Sequence, residues 1–293
     1  MKLSKNDAEL FFKLHPALLF YANQRLGILK GVSTLEEFRE MWAEDVIKVR
    51  DALYDRMDLI DSFVKENPFD FSPEELEIVF GWKDLIKGSF FLLRYLKEYA
   101  IFLEGGPPSK AYGVLALNTT FEEMLGPELP IFVKAVLLPF KGRIVYDGFF
   151  VPHRIVFGGN IRRSLNDDYR EAEWRFGIIT SLPFSRKEKE KCDADRLRFY
   201  LKSGSSRERH REEIEKLINK DRGLLALYHR EMGKIQARRQ GRHLRELWLR
   251  NSWFAILDDT IVASGTSRAQ VEGILNDILP TEKRDFVHIF QLK

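Results

Sequence analysis

Two glycines followed by two prolines, Gly105-Gly106-Pro107-Pro108, stop any regular element that reaches them, and the hydrophobic pattern changes across the stop. Before it, apolar residues recur at three- and four-residue spacing; after it they come in short runs separated by turn residues. A chain with this change of texture is neither a helical bundle nor a pure barrel. It reads as α+β and multidomain: a helical domain over 1–106, a central mixed β-rich domain over 109–184, a basic helical arm over 185–250, and a small αβ unit over 251–293.

In the first segment Leu10, Phe11, Leu14, Leu18 and Tyr21 fall on one face of a helix from about Lys5 to Arg25, with Pro16 expected to bend it. Ser33 with Glu36 matches a capping box, which opens an amphipathic stretch through Trp42, Val46, Val49, Leu53, Met57, Ile60 and Phe63, ended by Asn67-Pro68. Ser72 with Glu75, and Pro73 in the first turn, starts a third helix predicted to run to Gly105. On it Phe90, Phe91, Tyr95, Tyr99 and Phe102 recur at helical spacing. Core packing is the plain reading; the alternative is a seam of Phe90, Phe91, Tyr95 and Phe102 between two copies of the chain, and hence a homodimer.

In the central segment, strands are predicted over Tyr112–Leu117, Pro130–Phe140, Arg143–Tyr146 and Arg154–Phe157, with turns at Gly142, Asp147-Gly148 and Gly158-Gly159. A helix from about Leu165 to Phe176 and a strand over Gly177–Leu182 close it. The last forty residues predict strand Trp253–Leu257, an Asp258-Asp259 turn, strand Thr260–Ser264, helix Ser267–Leu279 and strand Phe286–Leu292.

A net charge of +3 hides an uneven distribution. Residues 186–250 hold 20 Lys+Arg against 11 Asp+Glu, a net of +9, and the rest of the chain is correspondingly acidic at −6. Within the arm, a Ser203-Gly204-Ser205-Ser206 hinge precedes helical texture interrupted by Gly223, Gly233 and Gly241. Arg230, Lys234, Arg238 and Arg242 recur every four residues and so form one cationic stripe, flanked by Arg239, Arg245, His229 and His243. Like charges at that spacing repel by about 0.2–0.5 kcal/mol per pair, so the stripe calls for an anionic partner. Phosphates provide one, and Tyr228, Trp248 and Trp253 interleave with the arginines in a way that suits stacking on bases. Pairing with an acidic protein surface and contact with a membrane surface are the alternatives.

Patterns for catalysis are weak. One cysteine, Cys192, forms no intrachain disulfide and no Cys-rich zinc site, and nearby lysines are its only activating feature. The six histidines are scattered singly. The best improvised metal set, Asp147, His153, Asp167, Asp168 and Glu171, competes with simpler structural roles: Asp147 before Gly148 as a hairpin turn, and Asp167-Asp168 as the start of a helix. No Walker-type loop exists; Gly158-Gly159-Asn160-Ile161-Arg162-Arg163 is the nearest candidate, which makes Arg162 and Arg163 a possible anion site and otherwise two solvated arginines in a Gly-rich turn. The expectation is therefore no cofactor, no metal and no catalytic residue. The opening Lys2, Lys5 and Asp7 do not form a signal peptide, and apolar runs such as Ala17–Ala22 are far shorter than the ~18 residues of a membrane span, which predicts a cytoplasmic protein. Five glutamines against 91 charged residues is a balance usual in heat-adapted proteins.

The run Leu137-Leu138-Pro139-Phe140-Lys141-Gly142-Arg143-Ile144-Val145-Tyr146-Asp147-Gly148, with Phe157-Gly158 and the Ile178–Leu182 strand after it, resembles a motif of uncharacterised prokaryotic proteins. Trp253-Phe254-Ala255-Ile256-Leu257 followed by Ile261-Val262-Ala263-Ser264-Gly265 resembles a small archaeal domain of unknown function with strand-strand-helix-strand order. In texture, the acidic helical part and the basic arm together resemble archaeal factors that bind and silence ribosomal subunits. That resemblance implies RNA or a ribosomal subunit as partner and a non-enzymatic effect on translation, with a metal-dependent nuclease or a protein-protein adaptor as the opposing readings.

Overall fold

The computed structural model describes residues 1–106, 108–153, 155–184 and 192–293. The fold is α+β, and the chain forms two compact units, Met1–Lys189 and Glu190–Lys293. The four sequence segments thus combine in pairs. Pro107 in the expected boundary, Arg154 at the head of an expected strand, and the expected start of the basic arm at Arg186–Lys191 lie outside the described residues.

The first unit opens with α1 (Lys5–Leu26), whose Ser4 cap accepts from the Asp7 amide and whose C-cap Gly27 takes φ +65°. The long second helix expected from Ser33 is three: α2 (Leu35–Arg39), α3 (Ala43–Tyr54) and α4 (Asp58–Glu66). Its capping box is Thr34 with Glu37, one residue later than read, because Glu37 reaches back to the Ser33 and Thr34 amides. Ser72, Glu75 and Pro73 do start a helix, α5 (Pro73–Gly81), but it ends at Gly81. Beyond it lie strands: β1 (Ile86–Tyr95) and β2 (Ala100–Glu104).

These two strands enter a sheet with β3 (Ala111–Leu115), β4 (Ile131–Phe140), β5 (Arg143–His153) and the two-residue β6 (Ile178–Ile179). β1 pairs antiparallel with both β2 and β4, β4 with β5, and β2 with β3, while β3 runs parallel to β5. Those pairings close a ring in the order β1-β2-β3-β5-β4-β1. It is a five-stranded Greek-key barrel with α6 (Phe121–Leu125) between its third and fourth strands, the arrangement of OB-type barrels. β6 pairs with the part of β3 that β5 does not reach.

Side chains alternate between the barrel interior and its outside. Phe90, Leu92, Phe102, Tyr112 and Val114 point into the main core, and Phe121 of α6 plugs the interior against Phe102 and Tyr146, with ring centroids 5.1 and 5.2 Å away. Burying such a ring stabilises the unit by roughly 2–3 kcal/mol. Leu93, Ile101, Leu103 and Ala111 point outward and are covered by Leu165, Tyr169 and Ala172 of α7 (Gly159–Phe176). The helical N-terminal segment shares the main core, Phe11 meeting Phe140 at 5.8 Å and Trp82 at 5.7 Å.

The expected dimer seam is thereby corrected. Phe90, Phe91, Tyr95 and Phe102 lie on two paired strands, not on one helix face; Phe90 and Phe102 are fully buried, and half-buried Phe91 packs on Phe132 and Phe157. Tyr95 donates its hydroxyl to the Gly126 carbonyl.

The second unit contains α8 (Asp193–Tyr200), α9 (Gly204–Arg209), α10 (Arg211–Lys220) and α11 (Arg222–Glu246), then β7 (Ser252–Leu257), β8 (Thr260–Gly265), α12 (Arg268–Ile278), α13 (Thr281–Arg284) and β9 (His288–Leu292). The strands form one antiparallel sheet in the order β8-β7-β9. Every element expected from Trp253 onward is present, with Asp258 at φ +57° in the turn and Ser267 capping α12. Ser203 is a helix cap, not a hinge: its hydroxyl accepts from the Ser206 amide.

Candidate nucleic-acid interface

α11 is continuous through its glycines. Asp221 caps it by accepting from the Gly223 amide, and Leu224, Leu227, Gly233, Ala237, Gly241 and Leu244 form its buried stripe. Gly233 and Gly241 are where the helix meets β9. A Cβ at Gly233 would stand 2.6 Å from His288 Cβ, and one at Gly241 would touch Leu292 and Phe290 at 3.5 and 3.7 Å. Small residues at these two positions let the helix lie close on the sheet, which fixes the direction of its other face.

That other face carries the charges. Arg230, Lys234, Arg238, Arg239, Arg242 and Arg245 are all exposed. At 1.5 Å rise per residue, Arg230 to Arg242 spans roughly 18 Å with a cation about every 6 Å. Lys234 bonds Glu231 at 2.7 Å, and His243 stands 3.5 Å from Glu246. Among the described residues the five arginines have no ion-pair partner. At the end of the helix Trp248 is 82% exposed and holds φ +63°, a conformation unfavourable for a bulky residue. Of the aromatic residues singled out with the stripe, Tyr228 and Trp253 are half-buried, so Trp248 is the one presented to solvent.

The other sequence candidates are dispersed. Arg162 and Arg163 lie exposed in the first turn of α7, where Arg162 Nε donates to the Phe157 carbonyl; they sit on a helix, not in a turn. Asp167 and Asp168 lie in the middle of that helix rather than at its start, since Gly158 is the N-cap. Cys192 is exposed at the N-cap of α8 and its thiol donates to Asp195. Among the described residues no three His, Cys, Asp or Glu side chains gather as a metal-ligand group, so the set of Asp147, His153, Asp167, Asp168 and Glu171 is not assembled.

Asp147 departs furthest from its expected role. The β4–β5 turn is Lys141-Gly142, both at positive φ. Asp147 lies within β5, where one residue of β4 faces Asp147-Gly148-Phe149 between the pairs Ala135–Phe150 and Leu137–Tyr146; this bulge uses Gly148 at φ +92°. The carboxylate is 1% exposed, accepts from the Phe149 amide at 3.0 Å and pairs with Arg50 of α3 at 3.3 Å. Burial outweighs the Arg50 attraction and pushes Asp147 up to about 7. Arg50 also bonds Asp51 at 3.0 Å, while its buried Nε has no partner. This pair, formed by residues 97 positions apart, is the polar site that sequence reasoning missed.

Unit two thus defines a helix-on-sheet module with an exposed arginine face, and unit one an OB-type barrel whose outer β2–β3 face is covered by α7. No family model, curated protein or solved structure matches the chain. Among the described residues no helix is long and apolar enough to cross a membrane.

Proposed function

We propose that this protein binds RNA through the α11 face, as a non-enzymatic, cytoplasmic factor. The observation that supports the reading is the set of exposed arginines, Arg230, Arg238, Arg239, Arg242 and Arg245, held on one rigid helix without carboxylate partners among the described residues. Such a face gains free energy by releasing counterions from phosphates, and Trp248 at its end offers a platform for an unpaired base. The barrel adds no support of its own, because OB-type barrels commonly bind across the β2–β3 face and here α7 occupies it. The resemblance in texture to archaeal factors that silence ribosomal subunits implies the structured RNA of a ribosomal subunit as the target, with restricted translation as the effect, and the composition fits a heat-adapted source.

The test is the salt dependence of binding to single-stranded and structured RNA. Replacing Arg230, Lys234, Arg238 and Arg242 with Ala should flatten the slope of log K against log salt by roughly 3 units on single strands, at about 0.7 per lost contact. No binding at low salt would favour a protein-protein adaptor, and RNA cleavage dependent on Mg²⁺ would favour a nuclease; either result overturns the proposal.

A further inference from the structure

A second site is built into the first unit. α1, the α2–α3 segment and the β5 bulge line an open cavity of about 650 Å³, within the range of small-molecule pockets. Phe12, Leu19, Phe38, Met41 and Phe149 make its walls mainly apolar. Phe12 is 40% exposed, an unusual position for an aromatic ring that could pack in the adjacent core. Two polar residues reach the lining from below, His15 and Asp147.

The ring of His15 is buried and stacked on Phe11 at 5.1 Å. Its Nε2 lies 3.2 Å from the Tyr54 hydroxyl, and that contact fixes its tautomer. The buried Tyr54 proton has no other acceptor among the described residues, so the hydroxyl donates to Nε2 and the ring proton resides on Nδ1. The opposite tautomer would leave both the tyrosine proton and Nδ1 unpaired. Burial, with Arg50 nearby, pushes His15 down to about 3, so the imidazole stays neutral. Nδ1–H has no protein acceptor among the described residues, and His15 lines the cavity.

Charge then narrows the ligand. Arg50, the cation behind the lining residue Asp147, does not itself line the cavity and is shared between Asp51 and Asp147, so an anion brought to depth would lose its water without gaining a counterion. At the rim, Lys13 is bound to Glu75 and Glu9 stands 3.9 Å from Lys5, so the remaining lining cation, Arg39, is exposed at the mouth and not at depth. The geometry points to a binding site for an uncharged, largely apolar small molecule that carries one hydrogen-bond acceptor, such as a carbonyl oxygen, directed at His15 Nδ1–H.

Three probes of one shape test this by equilibrium dialysis against the full chain: 2-acetylnaphthalene, 2-ethylnaphthalene and 2-naphthoate. The ketone should bind saturably, about 2- to 10-fold tighter than the hydrocarbon, the range expected for one net hydrogen bond, and the carboxylate should be weakest. Replacing His15 and Tyr54 together by Phe removes donor and partner while keeping ring shape, and should abolish the preference for the ketone over the hydrocarbon. Ala43→Trp at the exposed mouth leaves His15 and Tyr54 in place and should weaken all three, which tests the site independently of the double variant's folding. Absence of saturable binding by the wild-type chain, tightest binding by the carboxylate, or an unchanged ketone preference in the double variant overturns the inference.

Discussion

The two glycines that seat α11 on β9 give opposite expectations for the same substitution. In a helix interior Ala is favoured over Gly by about 0.8–1.0 kcal/mol. At Gly241 the added methyl would meet Leu292 Cδ1 at 3.5 Å and Phe290 Cε2 at 3.7 Å, which is ordinary contact, so Gly241→Ala should stabilise by about 0.5–1 kcal/mol. At Gly233 the methyl would stand 2.6 Å from His288 Cβ with the His288 Cα at 3.8 Å, so the strand backbone must give way. Overpacking of that kind costs about 1–3 kcal/mol, which exceeds the propensity gain and leaves Gly233→Ala destabilised by about 1 kcal/mol. The two variants should therefore differ by about 2 kcal/mol in urea unfolding followed by circular dichroism. His288→Gly should rescue Gly233→Ala in part, since it removes the clashing atom. Equal stabilisation by both substitutions would refute the close docking of α11 on β9, and with it the reason its arginines face outward.

Asp147 holds its proton in the folded chain up to about pH 7, whereas its ordinary value is 3.8, so its contribution to stability is fully present below pH 4 and is lost as pH rises toward 7. The stability of wild type relative to Asp147→Asn should fall by about 2–3 kcal/mol between pH 5 and pH 7.5, and a difference independent of pH in denaturant titrations contradicts that assignment. Arg50→Met leaves the Asp147 carboxylate buried and unpaired and should destabilise by about 3–5 kcal/mol at pH 7.5; thermal melts would show less loss at pH 5, where the carboxyl is protonated. Trp248→Ala should weaken binding to single-stranded RNA by about 1–3 kcal/mol without lowering the melting temperature; a loss of stability instead would mean the indole packs within the fold.

The elements most legible in the sequence are those with local signals. The Asp258-Asp259 turn and the short apolar runs from Trp253 locate the three strands and α12 to within two positions, whereas the four-residue α13 was not expected. The α11 stripe was legible for the same reason, because a four-residue repeat of exposed cations leaves little else for the helix to do with that face. The misreading at Phe90–Phe102 has a physical cause. β1 and β2 are covered on both sides, by the barrel interior and by α7, so they lack the polar-apolar alternation of a half-exposed strand, and a continuous apolar run is ambiguous between helix and strand. Asp147-Gly148 carries the same chemistry as a tight turn, a glycine at positive φ after an aspartate, yet the chain uses it for a bulge. Its partner Arg50 comes from another element, and no local pattern announces a contact across 97 residues.

Closure of the barrel also distributes the molecule's unpaired backbone. In the ring each of the five strands has neighbours on both sides, and the gap beside β3 is occupied by β6, itself only two residues long. The sheet of the second unit is open, with β8 and β9 each paired on one side to β7. A row of free amides and carbonyls is a template for pairing with another chain, and Lys, Pro or a bulge on the edge are the usual protections. β8 has a register shift opposite Ala255-Ile256 but neither Lys nor Pro within Thr260–Gly265. Strand addition from a second chain, whether in partial unfolding or on concentration, therefore has a template in the second unit, on the module that carries the arginine face.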